Sequence, residues 1–349
     1  MLHVGLDLSR SKVDVHVMDA AGDELWSTAV SPDAQSLRSL AARVARYDEP
    51  DEPVCAVIES MNGTRQVRDD LTASGWVVEI ADAAKVKGMA PLACKTDEID
   101  AWVLAELSRR DLVPAIWLPP MPVRQARELA RFRLHLVKHR TMVKNRVHSA
   151  LIAFGHRCPV SDLFGVEGRR LLQQLALPEP WADTTATALA LHDRLDEEIL
   201  GLERQLRRAG AEHAYVPRLM TAPGIGPVLG YTIAAEIGDI TRFPTPRKFV
   251  GYTGLCPKVY QSGNLDRRGP LTKNGPRYLR WALIEAAVHA AAHPLYKPRY
   301  QHTKKRLGKH RGPKIARIVV ARELATAIWH MLTKNEDFAP AGATHDLAA

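Results

Sequence analysis

Four carboxylates stand where this sequence predicts strand ends or a helix start: Asp7, Glu59, Asp97 and Asp100. The last two belong to the run Cys94-Lys-Thr-Asp97-Glu-Ile-Asp100-Ala-Trp, which opens a helix towards Leu107. A separation of three residues puts Asp97 and Asp100 on one helical face. Carboxylates gathered this closely repel one another, and one takes up a proton unless a cation joins them. Mg²⁺ suits such an all-oxygen set and keeps water ligands that a phosphodiester can displace. Two such ions, ~4 Å apart, would clamp the attacking and leaving oxygens of an in-line displacement at phosphorus. Taken singly, each residue also has a structural explanation. Asp97 suits the positive end of a helix dipole, Asp100 a solvated face, and Asp7 and Glu59 the wet edge of a sheet. The four together point to a metal site, and Glu98, Asp14, Asp82 and Glu106 are expected to be ordinary surface charges.

The elements that must position these residues read as an α/β fold. His3–Leu8, Lys12–Asp19 (with Val13, Val15 and Val17 alternating) and Glu24–Val30 are three consecutive strands joined by tight turns. Asp33–Tyr47 has a helical apolar face, Val54–Glu59 is a buried strand, Arg65–Ser74 a helix and Trp76–Ile80 a strand. The order βββαβαβ followed by helix fits a sheet covered by helices, and it is the order of the ribonuclease H-like fold. This domain is expected over residues 1–120.

Beyond Pro119-Pro120 the pattern becomes helical. Pro122–Phe154 reads as one long helix, with eight Lys and Arg from Arg124 to Arg146 against the single acid Glu128. A second helix, Thr185–Ala211, spaces Leu195, Ile199, Leu202 and Leu206 as in a coiled-coil seam. A helical connector is therefore expected over 121–215, either a self-associating arm or an intramolecular hairpin. A mainly α region follows over 216–335, with helices near Pro276–Ala292 and Pro313–Leu332, and a frayed tail over 336–349.

Composition narrows the partners. The 349 residues are 46% hydrophobic and 25% charged, as in a folded globular chain. No apolar run approaches the ~20 residues that span a bilayer. The start lacks the pattern of a signal peptide, and the four scattered cysteines suit a reducing cytoplasm. Asp239–Glu323 holds 19 Lys and Arg against 4 Asp and Glu, an excess of +15 in a chain of net charge +9. Such a block, interleaved with aromatic and apolar residues, suits a folded nucleic-acid surface. Within it Arg277 and Arg280 share a helix face after Gly275-Pro276, preceded by Lys273, and are read as phosphate contacts. Pro223-Gly-Ile-Gly-Pro227 resembles a helix-hairpin-helix turn, in which Gly224 and Gly226 let backbone N–H groups approach phosphate; an ordinary tight turn is the alternative.

The segment from Phe249 through Gln261-Ser262-Gly263 to Gly275-Pro-Arg-Tyr-Leu-Arg280 resembles the DEDD transposases of the insertion-sequence family one-hundred-ten, relatives of the Piv and MooV DNA invertases. The likeness covers nearly the whole chain. It implies a RuvC-like N-terminal domain whose Asp, Glu, Asp-x-x-Asp tetrad falls on Asp7, Glu59, Asp97 and Asp100. It also implies that Ser262 is a nucleophile forming a covalent phosphoserine link to DNA, with Tyr260 the chemical rival two residues away. Mg²⁺ (with Mn²⁺ able to substitute), donor and target DNA, a guide RNA encoded by the element and a homo-oligomeric assembly are implied in the same way. A junction-resolving nuclease using water as nucleophile, with Ser262 structural, is the alternative. A nucleic-acid-binding protein on an inactive nuclease-like fold is the third, and the intact tetrad speaks against it.

Overall fold

The computed structural model describes residues 1–47, 52–89, 96–175, 177–263 and 265–339. Cys94 and residues 340–349 of the expected tail lie outside them. The chain forms two compact units, Met1–Leu118 and Pro119–Ala349.

The first unit is a mixed sheet. Its strands are β1 (Leu2–Leu8), β2 (Val13–Met18), β3 (Glu24–Val30), β4 (Val54–Glu59) and β5 (Val77–Ala81), in the order β3-β2-β1-β4-β5. β2 runs antiparallel to both neighbours, whereas β4 and β5 run parallel to β1. Period-two alternation divides β1 between two faces. Leu2, Val4, Leu6 and Leu8 enter a core with Val13, Val15 and Val17. That core is closed by Leu37, Leu40 and Val44 of α1 (Ala34–Val44) and by Val67 and Leu71 of α2 (Thr64–Ala73). Asp33 caps α1 by accepting from the backbone N–H of Gln35 and Ser36 at 3.0 and 2.9 Å, an interaction worth about 1 kcal/mol.

The other face of β1 carries His3, Gly5 and Asp7, and there lies α4 (Asp97–Arg109), after the short α3 (Ala83–Met89). Gly5 decides how close α4 comes. A Cβ on Gly5 would stand 1.8 Å from the carbonyl oxygen of Ala101 and 2.6 Å from the nitrogen of Ala105. The helix therefore rests on bare strand backbone. Towards one end His3 Nδ1 meets Ser108 Oγ at 2.9 Å, and Val103, Leu104 and Leu107 pack on Val57, Ala81 and Val86.

The second unit contains α5 (Met121–Ala153), α6 (Val166–Gln174), α7 (Trp181–Ala211), α8 (Val216–Leu219), α9 (Pro227–Ile237), α10 (Pro246–Tyr252), a hairpin of β6 (Pro257–Ser262) and β7 (Leu265–Leu271), α11 (Arg277–Ala290) and α12 (Lys297–Lys334). The helical stretch expected over 121–215 and the region expected from 216 thus share one compact unit. α5, about 50 Å long at 1.5 Å per residue, lies antiparallel to α7. Arg133 pairs with Glu203 at 2.5 Å and Arg140 pairs with Asp196, so positions rise along one helix as they fall along the other. Within the chain the two helices form an intramolecular hairpin. Ile199 and Leu206 are buried within the chain, while Leu195 and Leu202 are half-buried. The main core gathers α9, α10, α11 and the second half of α12 around Ile233, Phe249, Leu283 and Leu324.

Two features accompany the expected helices. A β-hairpin stands between α10 and α11, and within the expected tail residues 336–339 are described. Phe338 docks by its backbone N–H on Thr221 Oγ1 at 2.9 Å, with its ring 6.4 Å from that of Tyr296.

Gly5→Ala should lift α4 from the sheet. Overpacking of a core costs roughly 1–3 kcal/mol, and here the obstacle is backbone that cannot rotate away. Urea unfolding of the full-length protein should show a loss of about 3 kcal/mol, together with weaker divalent-cation binding. A loss within ~0.5 kcal/mol of zero, the range of an ordinary surface substitution, would show that α4 is not seated in this way.

Candidate active site: a carboxylate cluster and a serine hairpin

The register of β1 and β2 sets Asp14 directly opposite Asp7. Opposed residues of an antiparallel pair share a face, here the face that α4 covers. Asp97 and Asp100 occupy the first turn of α4, behind Thr96, whose hydroxyl accepts from the Ile99 N–H at 3.3 Å. One carboxylate oxygen each from Asp7, Asp14 and Asp97 lie within 4.8 Å of one another. Glu59 ends β4 next to β1, and Thr64 donates to its carbonyl at 2.7 Å, fixing the turn that follows.

Asp7 shows what this arrangement costs. Burial pushes its carboxyl up to about 6, and the charges of Asp100, Asp97, Glu59 and Asp14 push the same way in that order. The structure thus brings the influence of the other three sequence-predicted carboxylates onto Asp7, and it adds Asp14, expected to be a surface charge. A signal for Asp14 existed: a tight turn between strands that pairs Leu8 with Val13 must also pair Asp7 with Asp14. The remaining acids in question behave otherwise. Glu106 binds Arg109 bidentately at 2.7 Å, and Asp82 accepts from the N–H groups of Ala84 and Lys85.

Lys12 already places a cation in the cluster. Its Nζ lies 2.9 Å from Asp14 Oδ2 and 3.1 Å from Asp97. Its hydrogen bond goes to Asp14 Oδ1 at 3.0 Å, leaving Oδ2 buried without one. Oxygen-only donors drawn together in the first turn of α4 and across β1 and β2, with one carboxyl pushed up to about 6 by burial and by its neighbours' charges, fit a hard divalent cation.

Ser262 ends β6, paired with Leu265 across the tip of the hairpin. Both strands are almost wholly exposed, Tyr260 included at 59%. The base, in contrast, is clamped. Thr272 N–H donates to Cys256 O at 2.8 Å, and Arg280 reaches Thr253 O and Asn274 O at 3.3 Å each. A Cβ on Gly254 would meet Asn274 O at 2.2 Å, and one on Gly275 would meet Tyr252 O at 1.9 Å. Arg280 is thus engaged by backbone carbonyls, and burial lowers its pKa. Arg277 remains exposed, donating to the Tyr278 hydroxyl at 2.9 Å, and Lys273 is exposed at φ +57°. In the Pro223–Pro227 turn, Gly224 (φ +81°) packs on α11, where a Cβ would meet Ala286 O at 2.2 Å; Gly226 faces open space at the start of α9.

The chain is similar to known proteins along both units. A DEDD transposase family model matches residues 4–154, spanning all four carboxylates, and a model described as "Transposase IS116/IS110/IS902 family" matches 216–302, spanning Ser262. A Pseudomonas aeruginosa protein named "Probable family 20 transposase" is 24% identical over 97% of this chain and 98% of its own length. The transposase of insertion sequence element IS1328 from Yersinia enterocolitica is 25% identical, over 96% of this chain and 98% of its own. That of IS1111A from Coxiella burnetii is 25% identical, over 81% and 79%. The chain is therefore a DNA transposase. More narrowly, its first half is similar to the DEDD transposases and its second to the IS116/IS110/IS902 transposase family.

The Asp7 carboxyl sets a pH test. Held near 6 when folded and near ~3.9 when unfolded, it binds its proton more tightly in the native chain. Metal-free stability should therefore fall as pH rises from about 4 to 6, with the full penalty present above 6. In EDTA, Asp7→Asn should melt higher than the parent at pH 7.5 and equally at pH 4, and Mg²⁺ should raise the Tm of the parent alone. A variant that melts lower than the parent at pH 7.5 would show that Asp7 is not under this strain.

Proposed function

We propose that this transposase cuts and rejoins DNA through a covalent bond between Ser262 and a DNA phosphate, assisted by Mg²⁺ (or Mn²⁺) held by Asp7, Glu59, Asp97 and Asp100, with Asp14 as a fifth ligand. The observation that carries the metal reading is the pairing of Asp7 with Asp14 beneath the carboxylates of α4. The sheet order, with an antiparallel β2 beside a parallel β1-β4-β5, supports a ribonuclease H-like, RuvC-like organisation of the first unit. The cation, when bound, lends electrostatic stabilisation to charge developing on phosphate oxygens.

The balance of the step is simple. An Oγ–P bond forms at Ser262 as one P–O bond of the strand breaks, and the DNA hydroxyl released takes up a proton in place of the one the serine gives up. Attack by a DNA hydroxyl on the phosphoserine reverses it, and no ATP is needed. The exposed hairpin supports this role, because a serine at its tip is open to a polymer. Arg280 positions that hairpin by clamping its base. Arg277, Lys273 and the open backbone at Gly226 would hold phosphates in register, whereas Gly224 serves packing. A guide RNA encoded by the element, and a dimer or tetramer bridging donor and target DNA, complete the proposal on the strength of the family resemblance.

Ser262→Ala should bind DNA yet form no protein–DNA adduct on nicked, labelled duplex, while Tyr260→Ala should still form it. Denaturing electrophoresis and mass spectrometry of the linked peptide read both. An adduct mapped to Tyr260, or cleavage by Ser262→Ala with no adduct in the parent, would replace this mechanism, the latter with a water-using nuclease. Arg280→Ala should lower adduct yield at least tenfold while leaving Mg²⁺ binding unchanged, and an unchanged yield would free the hairpin from its clamp.

A further inference from the structure

We infer that residues 297–317 of α12 form a docking surface for the phosphates of duplex DNA, built from residues other than the carboxylates and the serine hairpin. The inference rests on the chain acting on DNA and on neither the metal nor the nucleophile. This segment holds nine Lys and Arg and no acid. Fifteen of its 21 residues lie past 302, where the family match ends. Arg299 pairs with Glu323 at 2.7 Å. The six exposed cations beyond it, Lys304, Lys305, Arg306, Lys309, Arg311 and Lys314, make no ion pair among the described residues.

The backbone makes this a fixed corner. At Gly308 φ is +74° and ψ 179°, a conformation essentially confined to glycine. Four residues on, a Cβ at Gly312 would stand 2.4 Å from Lys304 O and 3.0 Å from Lys304 Cα. Thr303 and Gly312 are buried at this crossing. The two arms of α12 therefore meet backbone to backbone, and their cations radiate from a rigid angle. Beyond the corner, the final arm is anchored by Val320, Leu324, Ile328 and Met331 in the main core. The start of that arm adds the partial positive charge of a helix N-terminus beside Lys309 and Arg311.

Like charges this close destabilise the helix that carries them, so the free protein bears a cost that only external anions relieve. α5, in the same unit, behaves differently. Of its eight cations, Arg127, Arg131, Arg133 and Arg140 are paired with acids of α7 and α9. The exposed part of the corner carries none of the large aromatic rings that recognise unstacked single strands, and its exposed ring systems are the imidazoles of His302 and His310. A duplex, whose charge lies on its outside, suits these side chains.

The test is the salt dependence of binding to a duplex of arbitrary sequence, using full-length Ser262→Ala protein in EDTA so that neither metal nor adduct contributes. The triple variant K304Q/K305Q/R306Q should lower the slope of log K against log salt by about 2 to 3, at roughly 0.9 for each phosphate no longer neutralised. K309Q/R311Q/K314Q should do the same, whereas R38Q/R46Q/R65Q on the first unit should not. Circular dichroism checks that each variant keeps its helices. Unchanged slopes in both α12 triples, an equal fall in the control, or weakened binding to structured RNA with duplex DNA unaffected would each overturn the assignment. Failure here leaves the serine mechanism standing, and failure to trap a serine adduct leaves this surface standing.

Discussion

The active face of the first unit depends on one contact, that of Gly5 with the backbone of α4. Because no side chain separates strand from helix, the alternate residues of β1 meet successive turns of α4: His3 at Ser108, Gly5 at Ala101 and Ala105, Asp7 near the first turn with Asp97 and Asp100. A single Cβ would break this correspondence. Carboxylates driven together repel and would push the helix away. The apolar seam of Val103, Leu104 and Leu107 on Val57, Ala81 and Val86 holds it down. Folding energy from that seam thus maintains an electrostatic strain that a cation can relieve.

The same geometry explains what could be read from the residues alone. The alternation of Val13, Val15 and Val17 announces β2 and its core face, and Asp7 and Glu59 stand out because they end apolar runs. The pairing of Asp14 with Asp7 is legible in the tight turn, but the face they share reads as solvent, since nothing local says that a helix far along the chain will cover it. The β6-β7 hairpin is hidden for another reason. Its strands carry Gly269 and Pro270 and face solvent on nearly every residue, so no hydrophobic period marks them. Ser262 can be singled out only by resemblance, since the physics of an exposed Gln-Ser-Gly turn favours no role.

Charge shows most clearly where a sequence signal divides. α5 and α12 are both dense in Lys and Arg, and counting does not tell them apart. On α5 the partners are acids distant in sequence: Glu236 is fully buried yet bound bidentately by Arg131 at 2.7 and 2.9 Å, and Glu203 and Asp196 meet Arg133 and Arg140 across the helical hairpin. Those cations fasten the unit together. Removing one partner would strand a buried charge, at a cost of about 3–5 kcal/mol for a pair such as Arg131–Glu236. On the first arm of α12 Arg299 pairs with Glu323, and among the described residues the six exposed cations around Gly308 form no ion pair.

Rigid and reaching parts are distributed accordingly. A metal-assisted displacement needs its carboxylates fixed to within about half an ångström, which a helix seated on a strand provides. A nucleophile that must meet a phosphate in a long polymer needs access, which a buried serine would lack. On the proposed chemistry the hairpin answers that need with an exposed tip and a base locked by Arg280, Gly254 and Gly275. The lock matters because an exposed two-stranded ribbon is marginally stable by itself. Without the carbonyl contacts at its root, Ser262 would retain its chemistry and lose its direction.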